Sequence, residues 1–343
     1  MSHFSVLVVG DDVDAQLAPY HEFESTGIDD EHVREIDITE EARTRYEQDT
    51  TRAARDPEGK LHAFFDEQGA WVPGLSQTAA DKFDTNRRTY FVPVGWEQVE
   101  VPTAQLETFA RFVRGYYGLQ SVKSILEIDR VTTHKYGYVL VTDSGEVLKV
   151  VNRTNPNSKW DWYTVGGRWS NFLLRKDGQR VDAARKSDVD FAALQQEARE
   201  KATQDWRVVH EVIGPHLGGF ITWEVMCEQH GGSTDKAREA YHAQPLQRAR
   251  AALPQGHPAA RLMFWDGPEK FLAPEAEFVA AAEDRALSTF AVVKDGEWNQ
   301  KGEMGWFGFA RGECVQADWN KSVREMLATL PDDTLLTVVD CHI

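Results

Sequence analysis

The chain closes on Thr334–Ile343, TLLTVVDCHI, an apolar and β-branched run that reaches the last residue. A strand in that position needs a partner for its backbone and its side chains. The natural partner is the equally apolar opening run Phe4–Gly10, FSVLVVG, which Gly10 and Asp11 bring to a stop. Paired antiparallel, the two runs place both ends of the chain in one sheet. Before the last strand come a hairpin, STFAVVKDGEWNQKG, and a helix, DWNKSVREMLATL, with Trp319, Val323, Met326, Leu327 and Leu330 on one face. This order predicts an α+β fold: a mixed or antiparallel sheet with ferredoxin-like, split βαβ elements and paired terminal strands. The expected domains are residues 1–50 with 288–343, and an inserted α+β region over 51–287.

Inside the chain, TEEARTRYEQDT reads as a helix capped by Thr39, and TAQLETFARFVRGYYG as one started at Thr103 and stopped at Gly118. Residues 51–103 show no regular period. KYGYVLVTDSGEVLKVVNR and NFLLRKDGQRVDAA read as hairpins, and DFAALQQEAREKATQDWRVVHEVI as a long amphipathic helix. GGFITWEVM and RLMFWDG are expected strands. STDKAREAYHAQ and PEAEFVAAAEDRA are expected helices, the second opened by Pro274.

Composition limits the function. A chain of 343 residues, 41% hydrophobic and 27% charged, has a globular balance. No apolar run approaches the roughly 20 residues that span a bilayer, and the opening residues do not read as a signal peptide, so no membrane role is expected. Cys227, Cys314 and Cys341 lie far apart with no CxxC, which fits a reducing cytoplasm. The net charge is −17, and residues 1–50 hold 14 acids against three arginines. That field repels phosphate backbones, so direct nucleic-acid binding is not expected. The acidic segment reads either as a solvated face or as a surface for a basic partner.

Lys159–Trp169, KWDWYTVGGRW, has an unusual make-up: three tryptophans, a tyrosine and two adjacent glycines in eleven residues. Gly166 and Gly167 permit close backbone approach, and Arg168 offers a planar donor fork for carboxylate or phosphate. Trp160, Trp162 and Trp169 give flat faces for stacking, and Lys159, Asp161 and Tyr163 supply polar contacts. In extended form Trp160 and Trp162 share a face and are expected to pack inward, leaving Asp161 and Tyr163 beside the turn. The alternative is a structural corner with Arg168 paired to Asp161. A second glycine–aromatic stretch, KGEMGWFGFARGE, contains Trp306. Neither stretch forms a nucleotide-binding GxGxxG or Walker A motif.

Antiparallel terminal strands also bring His3 and His342 together, with Asp340 and Cys341 close by. That is either a metal or acid–base cluster or two histidines at a sheet edge. His21 and Glu22 are weaker cation candidates, and no nucleophile motif occurs.

As a set, MSHFSVLVVG, LAPYHEFE, NPNSKWDWYTVGGRW, SDVDF, GEMGWFG and PDDTLLTVVDCHI resemble a family of bacteriophage and bacterial proteins with no assigned activity. The resemblance implies a phage-type gene acting in a bacterial cytoplasm, and it brings no catalytic residue with it. The residues themselves lead to an enzyme or sensor for a small anionic or nucleotide-like ligand. Lys159, Trp160, Gly166, Gly167, Arg168, Trp169 and Trp306 would bind it, with Asp161 and Tyr163 as acid–base groups. Two other expectations stand beside this one. The first is an acidic phage–host interaction protein, an anti-defence factor or mimic, that occupies a basic host protein without catalysis. The second is a metal-dependent hydrolase using His3, His342 and nearby acids. No cofactor follows from the sequence.

Overall fold

The computed structural model describes residues 2–22, 30–65, 72, 75–77, 90–231, 233–264, 267–304, 310–312 and 314–343. It is an α+β protein whose contacts divide it into two compact units. One is Met1–Pro19 with Lys159–Ile343, the other Tyr20–Ser158.

The first unit is organised by a sheet of β1 (His3–Val9), β2 (Trp162–Val165), β3 (Ala183–Arg185), β4 (Ala291–Lys294), β5 (Glu297–Gln300) and β6 (Leu335–His342). The terminal strands pair antiparallel as expected, in unbroken register from His3↔His342 to Val9↔Leu336. Reciprocal backbone bonds between Ser2 and Ile343 (2.9 and 3.0 Å) close one end, and Gly10 N–H donates to Leu335 O (2.8 Å) at the other. On its other side β1 runs parallel to β4, which turns into β5 through Asp295 and Gly296 at φ +54° and +75°. Asp-Gly suits that two-residue hairpin turn because both positions need positive φ. The β5-to-β6 segment is a split βαβ. Its strands run parallel, helix α3 (Gln316–Thr329; α1 and α2 are given below) joins them, and β1 and β4 lie between them in the sheet.

Both faces of β1 and β6 are buried, which explains their nearly continuous apolar sequence. Residues opposite in register share a face. Leu7, Val9, Leu336 and Val338 therefore lie together, and they pack with Trp319, Val323 and Leu327 of α3. Leu194 of helix α1 (Phe191–Ile213) joins that cluster, with Asp190 Oδ1 capping the helix at Ala193 N–H (2.9 Å). Further along the chain, α1 and the short helices before α2 (Glu275–Arg285) share a second core of Val209, Ile213, Leu246, Met263 and Phe271.

The second unit holds a four-stranded sheet, in the order Arg34–Asp37, Val147–Thr154, Gly137–Val141, Ser121–Val122. Helices Thr39–Gln48 and Phe109–Tyr117 belong to the same core through Ala42, Phe112 and Val113, packed with Val139 and Val150.

Several expectations are corrected. The cuts between units fall after Pro19 and Ser158 rather than at 50 and 288, because β2 and β3 both pair with β6. Residues 51–103 contain a three-stranded sheet of Leu61–Ala63, Thr50–Arg55 and Glu97–Pro102. GGFITWEVM is not a strand: its last four residues open helix Trp223–Gln229, and Met226 packs there with Ala237 and Tyr241. RLMFWDG contributes to helix Pro258–Leu262, opened by its proline. The helix expected from Thr103 starts at Phe109 with Thr108 as cap, and Thr39 bonds Asp37 and Val150 instead of capping its own helix. Among the described residues no helix is long and apolar enough to cross a membrane.

Leu336 is 1% exposed near the start of β6. Leu336→Ala is expected to cost about 2–5 kcal/mol, read as a lower urea midpoint with an unchanged slope.

A paired histidine–aspartate cluster as the candidate functional site

The sheet face that carries Leu7, Val9, Leu336 and Val338 turns polar over its last positions: Ser5↔Asp340 and His3↔His342. His3 Nδ1 meets Asp340 Oδ1 at 2.8 Å. His342 Nδ1 meets both carboxylate oxygens of Asp161, at 2.7 and 2.9 Å. The two imidazole centroids are 4.9 Å apart with the rings edge to face. Trp162 stacks on His342 (4.9 Å, 17°) and meets His3 edge-on (5.3 Å, 81°). Asp340 and His342 are nearly sealed from solvent, whereas the Asp161 side chain is 39% exposed and Trp162 is 45% exposed.

A carboxylate only accepts, so each imidazole donates through Nδ1 and, when neutral, keeps its lone pair on Nε2. Neither Nε2 has a protein partner among the described residues, and neither is among the buried polar atoms that lack one. The result is two histidines oriented by separate carboxylates, with both second nitrogens available.

KWDWYTVGGRW is the segment that builds this arrangement. Asp161 N–H donates to His342 O (2.9 Å), and β2 then covers β6 from His342 to Val339. Val338 is the handover: its carbonyl accepts from Gly166 N–H (2.9 Å) and its N–H donates to Asp182 O (2.8 Å), just before β3 takes Thr337 to Leu335. Between the two strands the chain turns at Gly166 and Gly167, both at positive φ, and Arg168 N–H donates to Asp340 Oδ2 (3.0 Å). A Cβ on Gly167 would lie 2.5 Å from Asp340 Cβ, and one on Gly166 would lie 2.5 Å from the Asp182 carboxyl. The close approach that the glycines permit is therefore used by the protein's own carboxylates.

The expected site residues separate into groups. Asp161, His3 and His342 come together. Tyr163 lies opposite Cys341, on the other face of the sheet, and donates its hydroxyl to Asp14. Burial and that hydrogen bond push its pKa up, so the phenol keeps its proton. Cys341 is wholly buried on that face, and desolvation, with the charges of Asp340 and Asp161 added, raises its thiol pKa. It is therefore not an activated nucleophile. Trp160 packs inward and donates Nε1–H to Leu17 O (3.2 Å), but Trp162 does not follow it inward. Trp169 packs against the core beside α3. Lys159 is half-buried, and Arg168 is exposed with no ion-pair partner among the described residues. The pairing of Arg168 with Asp161 does not form, because His342 holds that carboxylate. His21 and Glu22 belong to the other unit, and Trp306 lies outside the described residues.

Two further residues, Asp340 and Trp162, belong to the cluster. Strand alternation alone places Asp340 on the face of His342. The stacking of Trp162 depends on the pairing of β2 with β6, which no local pattern shows. Among the described residues no group of three or more His, Cys, Asp or Glu side chains is arranged to hold a metal ion. No protein-family model, curated protein or solved structure matches the chain.

Gly167→Ala is expected to destabilise more than Gly178→Ala. Both positions have positive φ, at roughly 1–2 kcal/mol of strain for a non-glycine residue, but only Gly167 meets neighbouring atoms. Paired thermal melts of the two variants check the difference.

Proposed function

We propose that the His3–Asp340 and His342–Asp161 pairs form an acid–base site acting on a small anionic ligand, with a phosphate ester as the substrate class. The observation that carries this reading is the pair of carboxylate-oriented imidazoles with both Nε2 atoms available, 4.9 Å between ring centroids. One Nε2 takes the proton of an attacking water as the new P–O bond forms. The other, on a protonated ring, gives its proton to the leaving oxygen as the ester P–O bond breaks. Asp340 and Asp161 fix the orientation of the rings, as a carboxylate does for a catalytic histidine. The exposed Trp162 ring offers a stacking surface for an organic group, and the unpartnered Arg168 guanidinium offers a fork donor to the anion.

The metal-dependent reading has no comparable support, since two imidazole nitrogens fall short of the three protein ligands of a catalytic zinc site. The host-partner reading rests on the acidity of residues 1–50, which the two units divide at Pro19. Three free cysteines favour the reducing bacterial cytoplasm that the sequence suggests.

The test is turnover of a panel of chromogenic phosphate mono- and diesters. His3→Gln and His342→Gln should each lower kcat/KM by about 10²–10⁴ while the thermal midpoint stays close to that of the parent. The parent should show a bell-shaped pH profile that loses one limb in each variant. A parent without turnover, or variants that retain it, would overturn the reading.

A further inference from the structure

The second unit has a groove of its own, lined by residues within Tyr20–Ser158. Two adjoining cavities, of about 630 and 310 Å³, share Leu106, Glu107 and Arg111. Arg114 and Tyr46 line the larger, and Arg52 and Phe64 the smaller. The larger volume falls within the range of small-molecule sites, about 300–1,000 Å³.

Charge sets this groove apart from its surroundings. The whole chain carries −17, yet Thr108–Leu126 contains Arg111, Arg114 and Lys123 and no acid. Among the described lining residues are three guanidiniums, of Arg52, Arg111 and Arg114, and one carboxylate. That carboxylate, Glu107, is held by Arg111 at 3.3 Å. Burial pushes its pKa above the ordinary value while Arg111 opposes the shift. Arg114 is exposed, with no ion-pair partner among the described residues. Apolar and aromatic walls come from Tyr46, whose hydroxyl donates to Glu107 O (2.6 Å), Phe64 and Leu106, with Gln105, Thr108 and Ser121 also in the lining.

We propose that this groove binds an organic phosphate, with the phosphate dianion on Arg111 and Arg114 and the organic group against Tyr46 and Leu106. Arg111 and Arg114 stand three residues apart on helix Phe109–Tyr117, so they are neighbours on one helix face and suit the spread charge of a phosphate dianion. Guanidinium forks also suit phosphate oxygens in bidentate contact. The apolar wall would contribute nothing to a bare inorganic ion.

Phenylphosphonate, a dianion that cannot be hydrolysed as an ester, is the probe for calorimetric titration of the full chain. Saturable binding at a Kd of about 1 mM or below is expected, with weaker binding of inorganic phosphate and none of phenol. Arg114→Ala should weaken the phosphonate tenfold or more, Arg114→Lys less, and both variants should melt as the parent does, since Arg114 holds no partner. With Arg168→Ala and His342→Gln introduced to remove binding at the histidine site, the titration should remain saturable and should still weaken on Arg114→Ala, which separates the groove from that site. Absence of saturable binding, equal affinity for inorganic phosphate, or binding insensitive to Arg114→Ala would overturn the proposal.

Discussion

The antiparallel register between β1 and β6 is the constraint on which the first unit depends. It sets His3 opposite His342 and Leu7 opposite Val338, so one sheet face is apolar against α1 and α3 and polar at its end. A slip of one residue would turn every side chain of one strand to the opposite face. His3 would then join the side of Cys341 and Tyr163, and Asp340 would lose its imidazole. The bonds of Ser2 with Ile343 and of Gly10 with Leu335 hold the register at both ends. The same contacts that close the sheet therefore position the cluster.

The second constraint is the carboxylate of Asp340, which is 2% exposed. A buried charge is tolerated when it is paired and hydrogen-bonded. One oxygen meets His3 Nδ1 and the other accepts the Arg168 backbone N–H. The second bond forces the chain to pass over Asp340 closely enough that position 167 has no room for a side chain. The adjacent glycines, the sharp turn and the handover of β6 from β2 to β3 all follow from that. KWDWYTVGGRW is thus a corner, and the corner brings Asp161 and Trp162 against His342.

Much of this was legible in the sequence, for identifiable reasons. The terminal strands, the Asp295-Gly296 hairpin and helices α1 and α3 are long or strongly patterned, and local chemistry decides them. Juxtaposition of His3 and His342 followed from pairing two apolar runs. What stayed hidden depended on long-range partners. Trp162 turns outward because His342 offers a ring to stack on, a contact 180 residues distant in sequence. GGFITWEVM reads as a strand by composition, but in the fold Met226 meets Ala237 and Tyr241, and tertiary packing overrides β-propensity. The unit boundary at Ser158 was invisible for the same reason, since it is set by what β6 accepts at its edge.

Stability alone does not account for the cluster. Each ion taken from water costs several kcal/mol, and well-packed apolar residues of similar volume often replace a buried pair at no loss. This sheet already shows the apolar solution, in Leu7↔Val338 and Val9↔Leu336, two and four residues along the same face. At the end of that face the chain instead holds two imidazoles within 4.9 Å, each oriented by its own carboxylate, beside an exposed tryptophan. One His–Asp pair could be a lock on the register. The second adds no register information, because β2 is already fixed to β6 by Asp161 N–H, by the ladder and by Val338. The second pair instead fixes the orientation of His342 beside His3, edge to face, with Trp162 stacked on it.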